Sequence, residues 1–510
     1  MFKNKNNILL SLIFTAFCVL SFLVGLTHEA WLDEAQSWLI ARDCSFYDIM
    51  FTRCSYEGTP FLWFYILKIF ILLGWSYKYL FVISWLFACL GVFILLFKTN
   101  ISNIFKITIP FTFYIFYQYN IIARPYCLFF PVLCLIAVFY NKRFERPYLY
   151  CGLLVLLASI HAYAFVIAFV LFCFYIYSAV IPEDDILSSR TEHSESERSS
   201  VARCHPEQRE GSLGCCFSAP QLISISAVFL CFAFIALISM KNPDCDYVQK
   251  NIFLSSIAEK LLTALLRGYF NLNTFFAFFS ALFLTLSLYY LAVKTFCRNK
   301  RQLVFFAALN LSVYISMVLV NFYDWHLGIV PLTLLFSCLI LKSENNISVS
   351  FKTNKVFYIV CMVVVLTQIF FSVKNSYLEI HSEYDGANTV AKYLKQNNFT
   401  EDGIAALGCR AIAIQPYFKE NIYMNKDTTY YHWSKKGFLD ETEKTKKLIS
   451  KAKVFITDGD MLKAVFFKDI LDYVYDNFYE DITVDSYMCI KGVKFPSSTT
   501  YHVFIREDNL

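Results

Sequence analysis

Apolar residues in this chain do not alternate with polar ones; they gather in long runs separated by short polar breaks. The runs fall at 8–26, 79–97, 104–119, 127–140, 148–163, 164–180, 221–240, 274–293, 303–320, 327–341 and 356–373. A helix of ~20 apolar residues, rising 1.5 Å per residue, matches the ~30 Å hydrocarbon core of a bilayer. About eleven spans are therefore predicted. The run at 60–74 is too short to cross comfortably and reads as a helix lying in the interface. The first run follows Lys3 and Lys5 and is too long for a signal-peptide core, so it reads as a retained span.

Two stretches depart from this pattern. Residues 183–219 are rich in Ser and charge and lack apolar periodicity, which predicts a disordered cytoplasmic insertion between two spans. Cys204, His205, Cys215 and Cys216 within it follow no recognised zinc spacing. Residues 374–510 alternate short apolar runs (GIAALG, KVFITDG, YHVFIRE) with helical stretches, the pattern of a small α/β domain. The predicted fold is mainly α: a polytopic membrane helix bundle over 1–373 carrying an extracytoplasmic α/β domain over 374–510.

Composition agrees with this reading and removes the alternatives. Of 510 residues, 57% are hydrophobic and 17% charged, which suits neither a soluble enzyme nor a disordered or fibrous chain. A formal charge of +5 over this length gives no reason to expect a nucleic-acid partner. The 18 cysteines lie mostly in apolar runs with no CxxC pair, and read as small hydrophobic fillers.

The placement of the basic residues says more than their sum. With 60–74 kept out of the bilayer core, the loop NKRFERP (Asn141–Pro147) and the cluster Lys294, Arg298, Lys300 and Arg301 fall on one side. Lys98, Lys106, Lys342, Lys352 and Lys355 join them, and the positive-inside rule makes that side cytoplasmic. The N-terminus is then inside. The loop 27–78, Arg124, His161, the segment 241–273, the turn 321–326 and the C-terminal domain are outside. The expected location is the cytoplasmic (inner) membrane, in contact with its lipids.

Candidate chemistry gathers on that outer face. In THEAWLDEAQSWLIARD (Thr27–Asp43), Trp31, Ala35, Trp38 and Leu39 form an apolar stripe opposite Asp33, Gln36 and Ser37. This predicts a helix on the membrane surface with carboxylates at the water boundary. Asp33 and Glu34 are paired acids suited to acid–base work; acids in a first helical turn also simply complement its dipole. Arg124 precedes Pro125 at the head of a span, His161 marks a tight corner, and Asp324 and His326 stand at the mouth of another span. Each of these also has a reading as an interfacial anchor.

DEAQSWLIARD (Asp33–Asp43), YEGTPFLWFYILK (Tyr56–Lys68), IARPYCL (Ile122–Leu128) and DWHLG (Asp324–Gly328), in that order, resemble bacterial multispanning glycosyltransferases of the GT-C superfamily. These are relatives of the protein O-mannosyltransferases and the lipid A aminoarabinose transferase, and the likeness covers about the first 340 residues. The resemblance implies a sugar donor carried on polyprenyl phosphate, transfer on the outer face, juxtamembrane helices in the first outer loop, and an essential carboxylate there, which would be Asp33. Relatives often read EGHP where this chain has Glu57, Gly58, Thr59 and Pro60, so a histidine role at that point is absent or moved.

With such a donor the phosphate is already a good leaving group, and the need is for a base on the acceptor hydroxyl and cations for the departing phosphate. Asp33 is the candidate base. Glu34 would orient the acceptor or, with Asp33, hold the divalent cation (Mg or Mn) that some members use. Arg124 and His326 are candidates for phosphate stabilisation, with Glu57, His161 and Asp324 as further substrate-binding residues. A lipid-linked glycan flippase or transporter is the alternative; the scarcity of ionisable side chains inside the spans and the lack of an internal repeat weigh against it.

Overall fold

The computed structural model describes residues 2–180, 219–241, 254–271, 275–319, 322–344, 355–399, 403–494 and 500–507. Among them, nine helices are long and apolar enough to cross a bilayer: Asn7–Gly25, Tyr77–Lys98, Pro125–Lys142, Ala162–Val180, Pro220–Ser239, Ala277–Phe296, Lys300–Leu319, Asp324–Glu344 and Lys355–His381. In hydrocarbon every backbone amide must be paired within the segment, and a continuous helix does this. The chain is a multi-pass membrane protein. The insertion expected at 183–219, with its Cys and His residues, falls outside the described residues up to 218.

Two of the expected spans take another form. The run at 104–119 is a short helix, Asn103–Thr108, a 3₁₀ turn, Ile109–Phe111, and a π-turn, Phe113–Gln118. Pro110 lacks an N–H and restricts the residue before it, and Thr112 is extended, so no single helix forms. The segment still runs antiparallel to helix Leu80–Lys98: Lys106 Nζ donates to the Leu96 carbonyl at 2.6 Å, and Ser84 Oγ to the Asn120 carbonyl at 2.6 Å. The run at 148–163 is a helix of 12 residues, Pro147–Ala158, with His161 at the corner before the next helix.

In the loop between the first two long apolar helices, helix Leu32–Asp43 packs on helix Leu62–Leu72, whose Trp63, Phe64 and Leu67 are buried. Lys68 Nζ fastens the pair by donating to the carbonyls of Ala41 and Cys44 at 3.1 and 2.6 Å. The expectation of one watery face on Leu32–Asp43 does not hold: Gln36 and Ser37 are as buried as Ala35 and Leu39. The C-terminal domain covers the polar face. Gln36 exchanges two 2.8 Å hydrogen bonds with the backbone of Tyr431, and Arg42 donates to the Phe418 carbonyl at 2.9 Å.

That domain is α/β, as its alternating runs predict. Helix Lys355–His381 continues through the boundary expected at 373, and the domain's own elements begin with helix Ala387–Gln396. Its sheet has the order β1 (Ile404–Ala406), β2 (Val454–Asp458), β6 (Thr500–Arg506), β3 (Phe478–Asp485), with β1 and β2 parallel and the other pairs antiparallel. Side chains alternate across it. Ile404, Ala406, Ile456 and Val503 join the same continuous apolar core as the bundle, while Ala405, Phe455 and Phe504 pack under helix Lys468–Asn477. A hairpin of β4 (Cys489–Ile490) and β5 (Val493–Lys494) reaches down to the bundle.

Candidate functional site

The first turn of helix Leu32–Asp43 carries Asp33 and Glu34, and successive residues on a helix point about 100° apart. Glu34 turns inward and is fully buried. Its carboxylate accepts the N–H of Ala123 at 2.5 Å, the N–H of Trp31 at 3.2 Å and Nε2–H of His28 at 2.9 Å. The other ring nitrogen of His28 donates to Glu379 at 2.9 Å, and Glu379 also accepts the Tyr117 hydroxyl. Burial lowers the His28 pKa, but Glu34 and Glu379 outweigh it and raise it to about 10, so His28 is an imidazolium.

Asp33 lies on another side of the helix, with about a fifth of its side chain exposed, and pairs with Arg124. Arg124 is extended, at φ −126° and ψ 163°, as a residue before proline must be. Its guanidinium lies over the rings of Trp31 and Tyr126, 5.7 and 5.8 Å from their centroids. Trp31 meets Trp325 edge to face at 5.3 Å. Residues 31–33, 124–126 and 325–326, far apart in sequence, thus meet in one cluster.

The two histidines belong to the same cluster. His161 Nδ1 accepts the N–H of Tyr163 at 3.3 Å, so its proton sits on Nε2, facing the Tyr126 hydroxyl at 3.1 Å. Burial and the nearby Arg124 charge push its pKa down to about 3, and it is neutral. His326 Nδ1 accepts the N–H of Tyr323 at 3.0 Å, which likewise leaves Nε2 as a donor. The two rings are 5.5 Å apart. Glu57 approaches from the loop side and accepts Gln36 Nε2–H at 2.8 Å. Burial, helped by the Asp33 charge, pushes its carboxyl up to about 7 against that hydrogen bond.

Asp324 is not in this group. It pairs with Arg267 at 3.4 Å, on helix Leu254–Arg267, within the segment 241–273 that showed no signature in sequence. Asp33 and Glu34 do not fit a divalent cation: the first already holds a guanidinium, and both oxygens of the second are taken by protein donors. Among the described residues no group of three or more metal-capable side chains occurs.

Sequence reasoning missed His28, Glu379, Arg267 and the contribution of the C-terminal domain. His28 lay within the quoted THEAW string, and its place five residues before Asp33 was the available signal. No family model matches the chain, nor does any curated protein or solved structure. The chain is thus a multi-pass membrane protein in which two acids, Asp33 and Glu57, one guanidinium and two neutral histidines gather against the C-terminal domain.

Proposed function

We propose that the chain is a GT-C-type glycosyltransferase that moves a sugar from a polyprenyl-phosphate donor to a lipid, glycan or protein acceptor on the outer face of the cytoplasmic membrane. The observation that carries this reading is the convergence of Asp33, Glu57, Arg124, His161 and His326, from five separate stretches, into one cluster. An apolar cavity of about 260 Å³ between the broken segment 101–115 and the helices Asp324–Glu344 and Lys355–His381 supports it, since a lipid-linked donor needs a place for its tail. The rings of Tyr114, Tyr119 and Tyr126 lead from the cavity to Arg124. In this reading the broken segment and the helix Pro147–Ala158 also cross, giving eleven passes, with the N-terminus cytoplasmic and helix Leu62–Leu72 in the outer interface.

The residues then take the following roles. Asp33 removes the acceptor hydroxyl proton as that oxygen attacks the anomeric carbon. The bond from that carbon to the phosphate oxygen breaks, and polyprenyl phosphate leaves with the electron pair. Arg124 and the Nε2–H of His326 stabilise the departing phosphate. Glu57, whose carboxyl burial pushes up to about 7, is the proton's next stop. Glu34 touches no reacting atom in this scheme; through His28 and Ala123 it fixes where Asp33 and Arg124 stand.

The test is incubation of purified protein with a panel of polyprenyl-phosphate sugars. Wild type should transfer or hydrolyse at least one of them. Asp33→Asn should lose about 10²–10⁴ of the rate while inserting normally. Full activity in that variant removes the assignment of Asp33, and substrate crossing vesicles without any new glycosidic bond would establish the flippase instead.

A further inference from the structure

The β4–β5 hairpin ends in a two-residue turn, Lys491–Gly492, with φ of +51° and +71°. Both values are positive, the signature of a type I′ turn, where Asn or Asp normally precedes Gly. A long side chain pays a conformational penalty at Lys491, and elsewhere such a turn would shed it. Here the turn is riveted in place. Asn375 donates to the Cys489 carbonyl at 3.0 Å and accepts the Gly492 N–H at 2.5 Å, and Asn271 donates to the Lys491 carbonyl at 3.4 Å.

The Lys491 side chain runs into the bundle and is only 5% exposed. Its ammonium donates to the Arg267 carbonyl and lies 5.2 Å from the centroid of the Tyr114 ring. It has no ion-pair partner among the described residues. Arg267 is held only loosely by Asp324, at 3.4 Å. Tyr114 is also a wall of the apolar cavity, together with Tyr269 and Gln368, and Gln368 donates to the Tyr269 carbonyl at 2.5 Å. Two basic side chains, with the Asp324 carboxylate beside them, therefore stand behind Tyr114, at one wall of an apolar cavity. That is the charge pattern of an amphiphile with an anionic head and an apolar chain.

We propose that Lys491, delivered by the C-terminal domain, forms with Arg267 a binding site for the phosphate head of an amphiphile whose chain fills the cavity beneath Tyr114. This deepens the reading of the cavity as a lipid site and makes that site incomplete without the C-terminal domain. Burial pushes the Lys491 pKa down to about 7, so an arriving phosphate also returns this side chain to its charged form. A polyprenyl phosphate and a bilayer phospholipid share this head chemistry.

The experiment is native mass spectrometry of the delipidated full chain with polyprenyl monophosphate, the matching uncharged polyprenol, and phosphatidylglycerol. Wild type should prefer the monophosphate to the polyprenol by about tenfold or more, the value of one charge-assisted contact. Lys491→Gln should lose that preference and Lys491→Arg should keep it. Arg267→Gln, which leaves the hairpin untouched, should weaken it as a second reading if Lys491→Gln fails to fold. Displacement of the monophosphate by phosphatidylglycerol at equal strength would support the phosphate site and assign its occupant to the bilayer. An unchanged preference in folded Lys491→Gln overturns the proposal. The two readings fail separately: a head-group preference that follows Lys491, in a wild-type protein that transfers sugar from none of the polyprenyl-phosphate donors, leaves this site standing and the transferase reading refuted.

Discussion

Asp33 and Glu34 are neighbours in sequence with different surroundings, and the difference sets their tasks. Both oxygens of Glu34 are engaged, Oε1 by the Ala123 N–H and Oε2 by Trp31 and His28. Replacing it by Ala leaves the His28 imidazolium with Glu379 alone and should cost about 3 kcal/mol of stability, read as a lower unfolding midpoint in detergent. Glu57 gives a different kind of prediction. Its carboxyl is pushed up to about 7, so it must lose its proton near neutrality before it can accept one. The rate of transfer should therefore rise with pH through about 7 and level off above it. Glu57→Gln should be slower and should lack that rising limb; a limb that survives the substitution would assign it to another group.

The helix Leu32–Asp43 shows how far an element can be read before its partners are known. Its apolar stripe of Ala35, Trp38 and Leu39 was legible from spacing alone, as were the long spans and the α/β character of the C-terminal domain. The burial of Gln36 was not, because the partner that satisfies it, Tyr431, lies almost four hundred residues away and offers only backbone atoms. The same limit hid the latch formed by His28 and Glu379, which ties this loop to helix Lys355–His381. That latch carries a pH signature. His28 ordinarily titrates at 6.5 and here at about 10, so folding binds its proton more tightly. Its contribution is complete below about 6.5 and is lost as pH rises toward 10. Melting temperatures of the wild type should fall across that window, and those of His28→Gln should fall less; parallel curves would show that the latch does not hold a charged imidazole.

At the scale of the whole molecule, the bundle and the C-terminal domain share one apolar core, so neither is complete alone. Ile404, Ala406 and Val503 of the sheet would meet water if the domain were removed, and so would the polar face of helix Leu32–Asp43. Burial of this kind is worth about 25 cal/mol for each Å² of apolar surface, and separating the halves forfeits it. The arrangement of Asp33, Arg124 and Glu57 depends on the same contact, because Gln36 holds Glu57 and Tyr431 together. A chain ending at residue 381 should retain every residue of the cleft and still lose transfer by about a hundredfold or more, the range associated with misplacing a catalytic group by 1 Å. The matching soluble piece, 382–510, should show none. Orientation is checked on the intact protein, in a cysteine-depleted background, with a membrane-impermeant thiol reagent. A cysteine at Lys142 should be protected in whole cells and one at Lys447 labelled, since the first lies in the basic loop assigned inside and the second on an exposed helix of the outer domain. The reverse pattern would put Asp33 and its neighbours in the cytoplasm, where nucleotide sugars replace lipid-linked ones, and the donor proposed for the cleft would have to be abandoned.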